Sequence, residues 1–143
     1  IIDAIRSMAS GFIFTTSIPP RTAAGALRSV KVLKMTPEKR TELHERANSL
    51  KVRLRDAGYP FVDGPTHIVP LMVGDPVKCQ AISDRLIEDF GIYAQPINYP
   101  TVPKGTERLR FTPSPVHTEA MMDDLVAALL AIWKQLGLPR AAA

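Results

Sequence analysis

The chain has one cysteine, Cys79, in 143 residues, which excludes an internal disulfide and any clustered thiolate metal site. Among apolar helical neighbours, that cysteine reads as a small buried hydrophobe. The three histidines, His44, His67 and His117, share no metal-ligand spacing, so no metal is expected. They read as an exposed helix residue, a strand-edge residue and part of the turn into the last helix. No apolar run reaches the ~20 residues that cross a bilayer and no signal peptide is visible, so no membrane partner is expected. The sequence starts at Ile1 without an initiator Met, which leaves room for a targeting segment upstream.

Aromatic residues make up 6% of the chain, and none interleave with the cations in the way that base stacking requires. The net charge of +4 therefore does not point to nucleic acid. The cations Lys31, Lys34, Lys39, Arg40, Arg46, Lys51, Arg53 and Arg55 concentrate in one helical stretch. There they alternate with Glu38, Glu42, Glu45 and Asp56, the pattern of a solvated helix face. With 45% hydrophobic and 22% charged residues, the composition is that of a folded globular chain.

Ile1 to Met8 reads as the end of a helix, broken at Ala9, Ser10 and Gly11 before the apolar run Phe12 to Phe14. Pro19 and Pro20 suit a helix start, and helical spacing then runs from Thr22 to Met35. Thr36-Pro37 reads as a cap and first turn opening a second helix, which stops at Gly58. That interruption places a hinge between an arm, residues 1–36, and a small domain, residues 37–143. Thr66 to Val73 reads as a strand and Asp75-Pro76 as a second capped helix start, with the helix ending near Gly91. Ile92 to Ile97 and Arg108 to Phe111 read as further strands, joined by a loop from Asn98 to Glu107. A last helix runs from Thr118 to Leu136. The expected fold class is α+β, a short, mainly antiparallel sheet covered by helices on one face and preceded by a helical arm.

The informative stretch is the loop and strand from Gln95 to Pro115. Arg108 and Arg110 alternate on a strand and so share a face, and an arginine beside a proline-stiffened loop suits a bidentate grip on a carboxylate. The alternative is a surface arginine paired with Glu107 or Asp123. Likewise, Thr101 is either a ligand-facing hydroxyl or a loop threonine satisfying backbone. Thr15 and Thr16 are either phosphate donors or a capping cluster before Pro19.

The run QPINYPTVPKGTERLRFTPSPVHT resembles the corresponding run of the 5-aminolevulinate synthases, within the α-oxoamine synthase family of fold-type I pyridoxal-phosphate enzymes. SMASGFIFTTSIPP and HIVPLMVGDP resemble that family's segments in the same order, over essentially the whole chain. The resemblance implies pyridoxal 5'-phosphate as cofactor and glycine and succinyl-CoA as substrates. The product would be 5-aminolevulinate, for haem and other tetrapyrroles. It implies that Arg110 binds the glycine carboxylate and that Thr101 contacts the distal carboxylate of succinyl-CoA. Thr15 and Thr16 would reach the cofactor phosphate across a homodimer interface. Residues 1–36 would end the large cofactor-binding domain. The Schiff-base lysine of the family belongs upstream of Ile1, so no catalytic residue is assigned and the fragment alone is expected to be inactive. The implied location is cytoplasmic in a bacterium and the mitochondrial matrix in a eukaryote. The rival expectations are a sister synthase using another acyl-CoA and a non-catalytic dimerising module.

Overall fold

Period-two burial and helix capping organise the chain, and the computed structural model describes residues 1–13 and 17–140. The chain divides into two compact units, Ile1–Pro37 and Glu38–Ala143. In the first, α1 (Ile2–Met8), α2 (Ser10–Ile13) and α3 (Pro20–Met35) contain no buried residue. The expected break after Met8 narrows to the extended Ala9, and Ser10 and Gly11 are helical. The amide of Phe12 donates to the Ala9 carbonyl at 2.8 Å, which starts the short turn. The Thr36 hydroxyl donates to the Val32 carbonyl at 2.9 Å, the back-bonding that threonine makes when an i−4 carbonyl is within reach.

The second unit opens with α4 (Glu38–Asp56), followed by β1 (Val69–Met72), α5 (Pro76–Phe90), β2 (Gln95–Ile97), β3 (Arg108–Phe111) and α6 (Glu119–Gln135). The three strands form one antiparallel sheet in the order β1-β3-β2, which confirms the α+β class. Val69, Leu71, Leu109 and Phe111 point to one face. They pack with Leu50, Leu54, Ile82, Leu86, Leu129, Ile132 and Trp133 of the three helices in one core. Fully burying one such side chain contributes about 1.5–3 kcal/mol. Trp133 meets Tyr59 edge to face at 5.2 Å between ring centroids, a favourable aromatic geometry. Its indole N–H donates to the Pro139 carbonyl at 3.1 Å.

Capping fixes where α5 starts and stops. The Asp75 carboxylate accepts from the amides of Val77 and Lys78, both at 2.9 Å. Gly91, at φ 68°, supplies the left-handed C-cap; a side chain there would meet the αL penalty that glycine avoids. The amide of Ile92 then donates to Leu86 O at 2.8 Å. For that reason the strand expected from Ile92 begins only at Gln95. The strand expected from Thr66 is also shorter, because the Thr66 hydroxyl accepts from the Ile68 amide at 3.3 Å in a local turn.

Cys79 is buried in α5. Burial in apolar surroundings pushes its thiol up to about 11, against which a backbone hydrogen bond from Ile97 works in the opposite direction. The folded state therefore holds the thiol proton more tightly than the unfolded chain. Stability from this group is fully present below pH 9.0, the unfolded value, and is lost as pH rises through about 11. At pH 8 a soluble disulfide reagent should label Cys79 at least tenfold more slowly in the folded protein than in denaturant; equal rates would show an accessible thiol.

Candidate functional site

Alternation along β3 builds the site. Leu109 and Phe111 are buried against the helices, which leaves Arg108 and Arg110 on the opposite, open face. The ladder places Arg110 between Pro70 and Gln95, and Arg108 between Met72 and Ile97. These six residues form two adjacent rows. The Arg108 Nε donates to the Thr106 carbonyl at 2.9 Å, so that side chain is tied to its own loop.

Arg110 is exposed, and its guanidinium has no hydrogen-bond or ion-pair partner among the described residues. Neither of the two carboxylates that could have claimed it pairs with it. Asp123 pairs with Arg53 Nε at 2.6 Å, and the Glu107 side chain is buried on the other face. Gln95, opposite Arg110, accepts from the Tyr93 hydroxyl and donates to the Pro96 carbonyl at 3.2 Å. A forked, fully charged donor thus stands open on a rigid strand, able to take a planar carboxylate with two parallel hydrogen bonds.

Thr101 stands exposed in the loop between β2 and β3. Its amide donates to the Asn98 carbonyl at 3.0 Å, while its hydroxyl makes no hydrogen bond among the described residues. By contrast, the hydroxyl of Thr106 donates to Pro103 O at 2.6 Å, the backbone-satisfying role that Thr101 does not play. Thr15 and Thr16 lie outside the described residues.

The cations of α4 are largely held by carboxylates. Lys39 pairs with Glu42, Arg46 and Arg53 with Glu119, and Arg55 with Asp63. Hydrogen bonds from Ser49 and then Arg46 hold the Glu119 carboxyl below its usual range, and the Arg53 hydrogen bond does the same to Asp123. One expectation fails here. Lys51 is not on the solvated face but buried, with its ammonium donating to the Gly64 carbonyl and 3.3 Å from Asp63.

His44 is exposed on α4, and His117 accepts the Ser114 amide at 2.9 Å in the turn before α6. Among the described residues no group of three or more His, Cys, Asp or Glu is placed to hold a metal, and no helix is long and apolar enough to cross a membrane. A separate cavity of about 540 Å³ lies between the end of α5, the end of β3 and the start of α6. Phe90, Tyr93, His117 and Met121 help to line it, and neither Arg110 nor Thr101 does.

Residues 1–129 match the family model for aminotransferase class I and II. The chain belongs to the aminotransferase class I and II family. Within this family it is 58% identical to 5-aminolevulinate synthase 1 of Cereibacter sphaeroides, over 97% of this chain and 34% of that relative. It is 48% identical to the mitochondrial 5-aminolevulinate synthase of Emericella nidulans, over 99% of this chain and 22% of that relative. The chain thus spans about a third or less of the length of these curated relatives. A serine palmitoyltransferase from S. paucimobilis, solved with bound PLP-myriocin aldimine, matches with a TM-score of 0.83 and 29% identity. That match covers 94% of this chain and 34% of the other. The 8-amino-7-oxononanoate synthase of Francisella tularensis shares the fold, with a TM-score of 0.75.

Sequence reasoning missed Glu107, whose side chain is 1% exposed. The signal was present, because Glu107 stands two and four residues before Leu109 and Phe111 and so shares their buried face. Since the Arg110 guanidinium is exposed and has no partner among the described residues, Arg110→Leu should shift stability by less than about 0.5 kcal/mol in urea unfolding of the full-length protein. A loss above about 2 kcal/mol would mark the arginine as structural.

Proposed function

We propose that the polypeptide to which this segment belongs is a 5-aminolevulinate synthase. It condenses glycine with succinyl-CoA to give 5-aminolevulinate, CoA and carbon dioxide, with pyridoxal 5'-phosphate as cofactor. The observation that carries this reading is the Arg110 guanidinium, unpaired among the described residues, with the Thr101 hydroxyl free among them in the loop that leads into the same strand. The names of the relatives support the same choice.

In this reading Arg110 grips the glycine carboxylate and fixes the orientation of the amino acid, lowering the entropic part of the barrier. The Thr101 hydroxyl donates to the distal carboxylate of the acyl group, which selects a dicarboxylic donor over a plain one. When bound, pyridoxal 5'-phosphate supplies an electron sink for the carbanion at the glycine α-carbon. The residues around Arg110 on the open face are Pro70, Gln95, Met72, Arg108 and Ile97. They suit an anion, and none is an amine that could hold the cofactor covalently. Covalent attachment therefore does not fall to this face, and in this reading Thr15 and Thr16 serve as donors to the cofactor phosphate in a homodimer whose sites are shared.

Residues 1–36 are assigned to the end of the large cofactor-binding domain and its connecting helix, and residues 37–143 to the small C-terminal domain. The cellular setting is the cytoplasm in a bacterium and the mitochondrial matrix in a eukaryote. The likeness to serine palmitoyltransferase favours, as a second reading, a sister condensation with another acyl-CoA.

Steady-state kinetics of the full-length enzyme separate the two. Arg110→Lys keeps the charge but loses the fork, so kcat/KM for glycine should fall about tenfold or more, from a charge-assisted bond worth roughly 1.5–3 kcal/mol. Thr101→Val should raise the succinyl-CoA KM about tenfold and leave the glycine KM alone. An unchanged succinyl-CoA KM in Thr101→Val would select the sister reaction.

A further inference from the structure

The loop that carries Thr101 runs from Asn98 to Glu107, and each end carries a buried oxygen with no donor among the described residues. These are Asn98 Oδ1 and Glu107 Oε2. The β2–β3 register pairs Gln95 with Arg110, Pro96 with Leu109 and Ile97 with Arg108. Extended by one residue, it sets Asn98 opposite Glu107, with Cα atoms about 4.5–5.5 Å apart. Alternation puts both side chains on the helix-covered face, the face of Leu109.

The Asn98 side chain and the Glu107 backbone are anchored. The Asn98 amide nitrogen donates to the Pro76 carbonyl at 3.3 Å, which directs Oδ1 away from that carbonyl. The Glu107 carbonyl accepts from the amides of Val73 at 2.9 Å and Gly74 at 3.0 Å, which fixes its backbone against the end of β1. Across the same turn, the Gly105 carbonyl lies so close to Gly74 that a Cβ there would stand 3.5 Å from it. Two buried acceptors at the base of one loop are unfavourable unless each finds a donor. One water molecule has two O–H groups, one for each oxygen, and polar buried sites hold such waters.

We propose that Glu107 is a positioning residue for the acyl donor. Through a shared donor it is tied to Asn98, and this cross-strand tie closes the base of the loop and sets where the Thr101 hydroxyl stands. The inference rests on the reading of Thr101 given above. Arg110 lies beyond the tie on the strand itself, held by ladder bonds on both sides. Losing the tie therefore disturbs the acyl donor and not glycine.

The test compares Glu107→Leu, Glu107→Gln and the double variant Asn98→Leu/Glu107→Leu with Thr101→Val in the full-length enzyme with cofactor. KM for glycine, KM for succinyl-CoA and melting temperature are the readouts. Glu107→Leu is expected to raise the succinyl-CoA KM about tenfold and keep the glycine KM within twofold. In Glu107→Gln the amide N–H donates to Asn98 directly, so the succinyl-CoA KM should stay within about threefold of the parent value.

The double variant removes both acceptors and so the burial penalty. It should regain the melting temperature while its succinyl-CoA KM stays raised. Recovery of that KM together with the melting temperature would show a merely structural role and overturn the inference. If Thr101→Val raises the succinyl-CoA KM but both Glu107→Leu variants leave it within twofold, the inference falls and the synthase reading stands. If Thr101→Val also leaves it unchanged, both fall.

Discussion

Strand β3 is the middle of a three-stranded sheet, and its two faces meet different surroundings. On one side Leu109 and Phe111 close the core under α4, α5 and α6; on the other, Arg108 and Arg110 are left open. Because successive side chains on a strand point to opposite faces, the packing that buries Leu109 also holds the Arg110 guanidinium outward. A one-residue slip in register would bury two arginines and expose the core. The hydrophobic core and the open arginine face are therefore set by one constraint, and neither can shift without the other.

The remaining parts of the unit serve to hold that strand in place. The Asp75 cap and the Gly91 C-cap define α5, which packs against both β2 and β3. On the far edge, the amide of Met72 donates to Pro60 O at 2.8 Å and that of Val62 to Pro70 O at 3.0 Å, which covers the outer edge of β1. Lys51 and Arg55 both reach Asp63 and hold the same segment to α4. A charged side chain that composition places on a solvated face is thus a buried anchor, affordable only because its ammonium finds a carbonyl and a carboxylate.

Much of this was legible in the residues. Period-two alternation marked β1 and β3, Asp75-Pro76 and Gly91 marked the ends of α5, and the Thr118 cap and apolar stripe marked α6. The misreadings share a cause. The Thr66 hydroxyl bonds locally to a backbone group within reach, and Ile92 is drawn into the helix end by a single amide bond. Propensity alone does not reveal which of several nearby partners such a group will choose. The Glu107 side chain obeyed the alternation, but its charge argued for solvent, and only packing decided between the two.

By itself the sequence determined the α+β class, the order of the elements, the shared face of Arg108 and Arg110, and the likeness that pointed to a carboxylate-binding arginine. Those features depend on spacing and side-chain chemistry, which are local. Tertiary structure decided which cations are free and which are held, that Asp123 belongs to Arg53 and not to Arg110, and that side-chain oxygens of Asn98 and Glu107 are buried at the two ends of one loop. Each of these depends on which distant residues folding brings together, and pairing of that kind is a property of the packed sheet and its helices rather than of any stretch of chain.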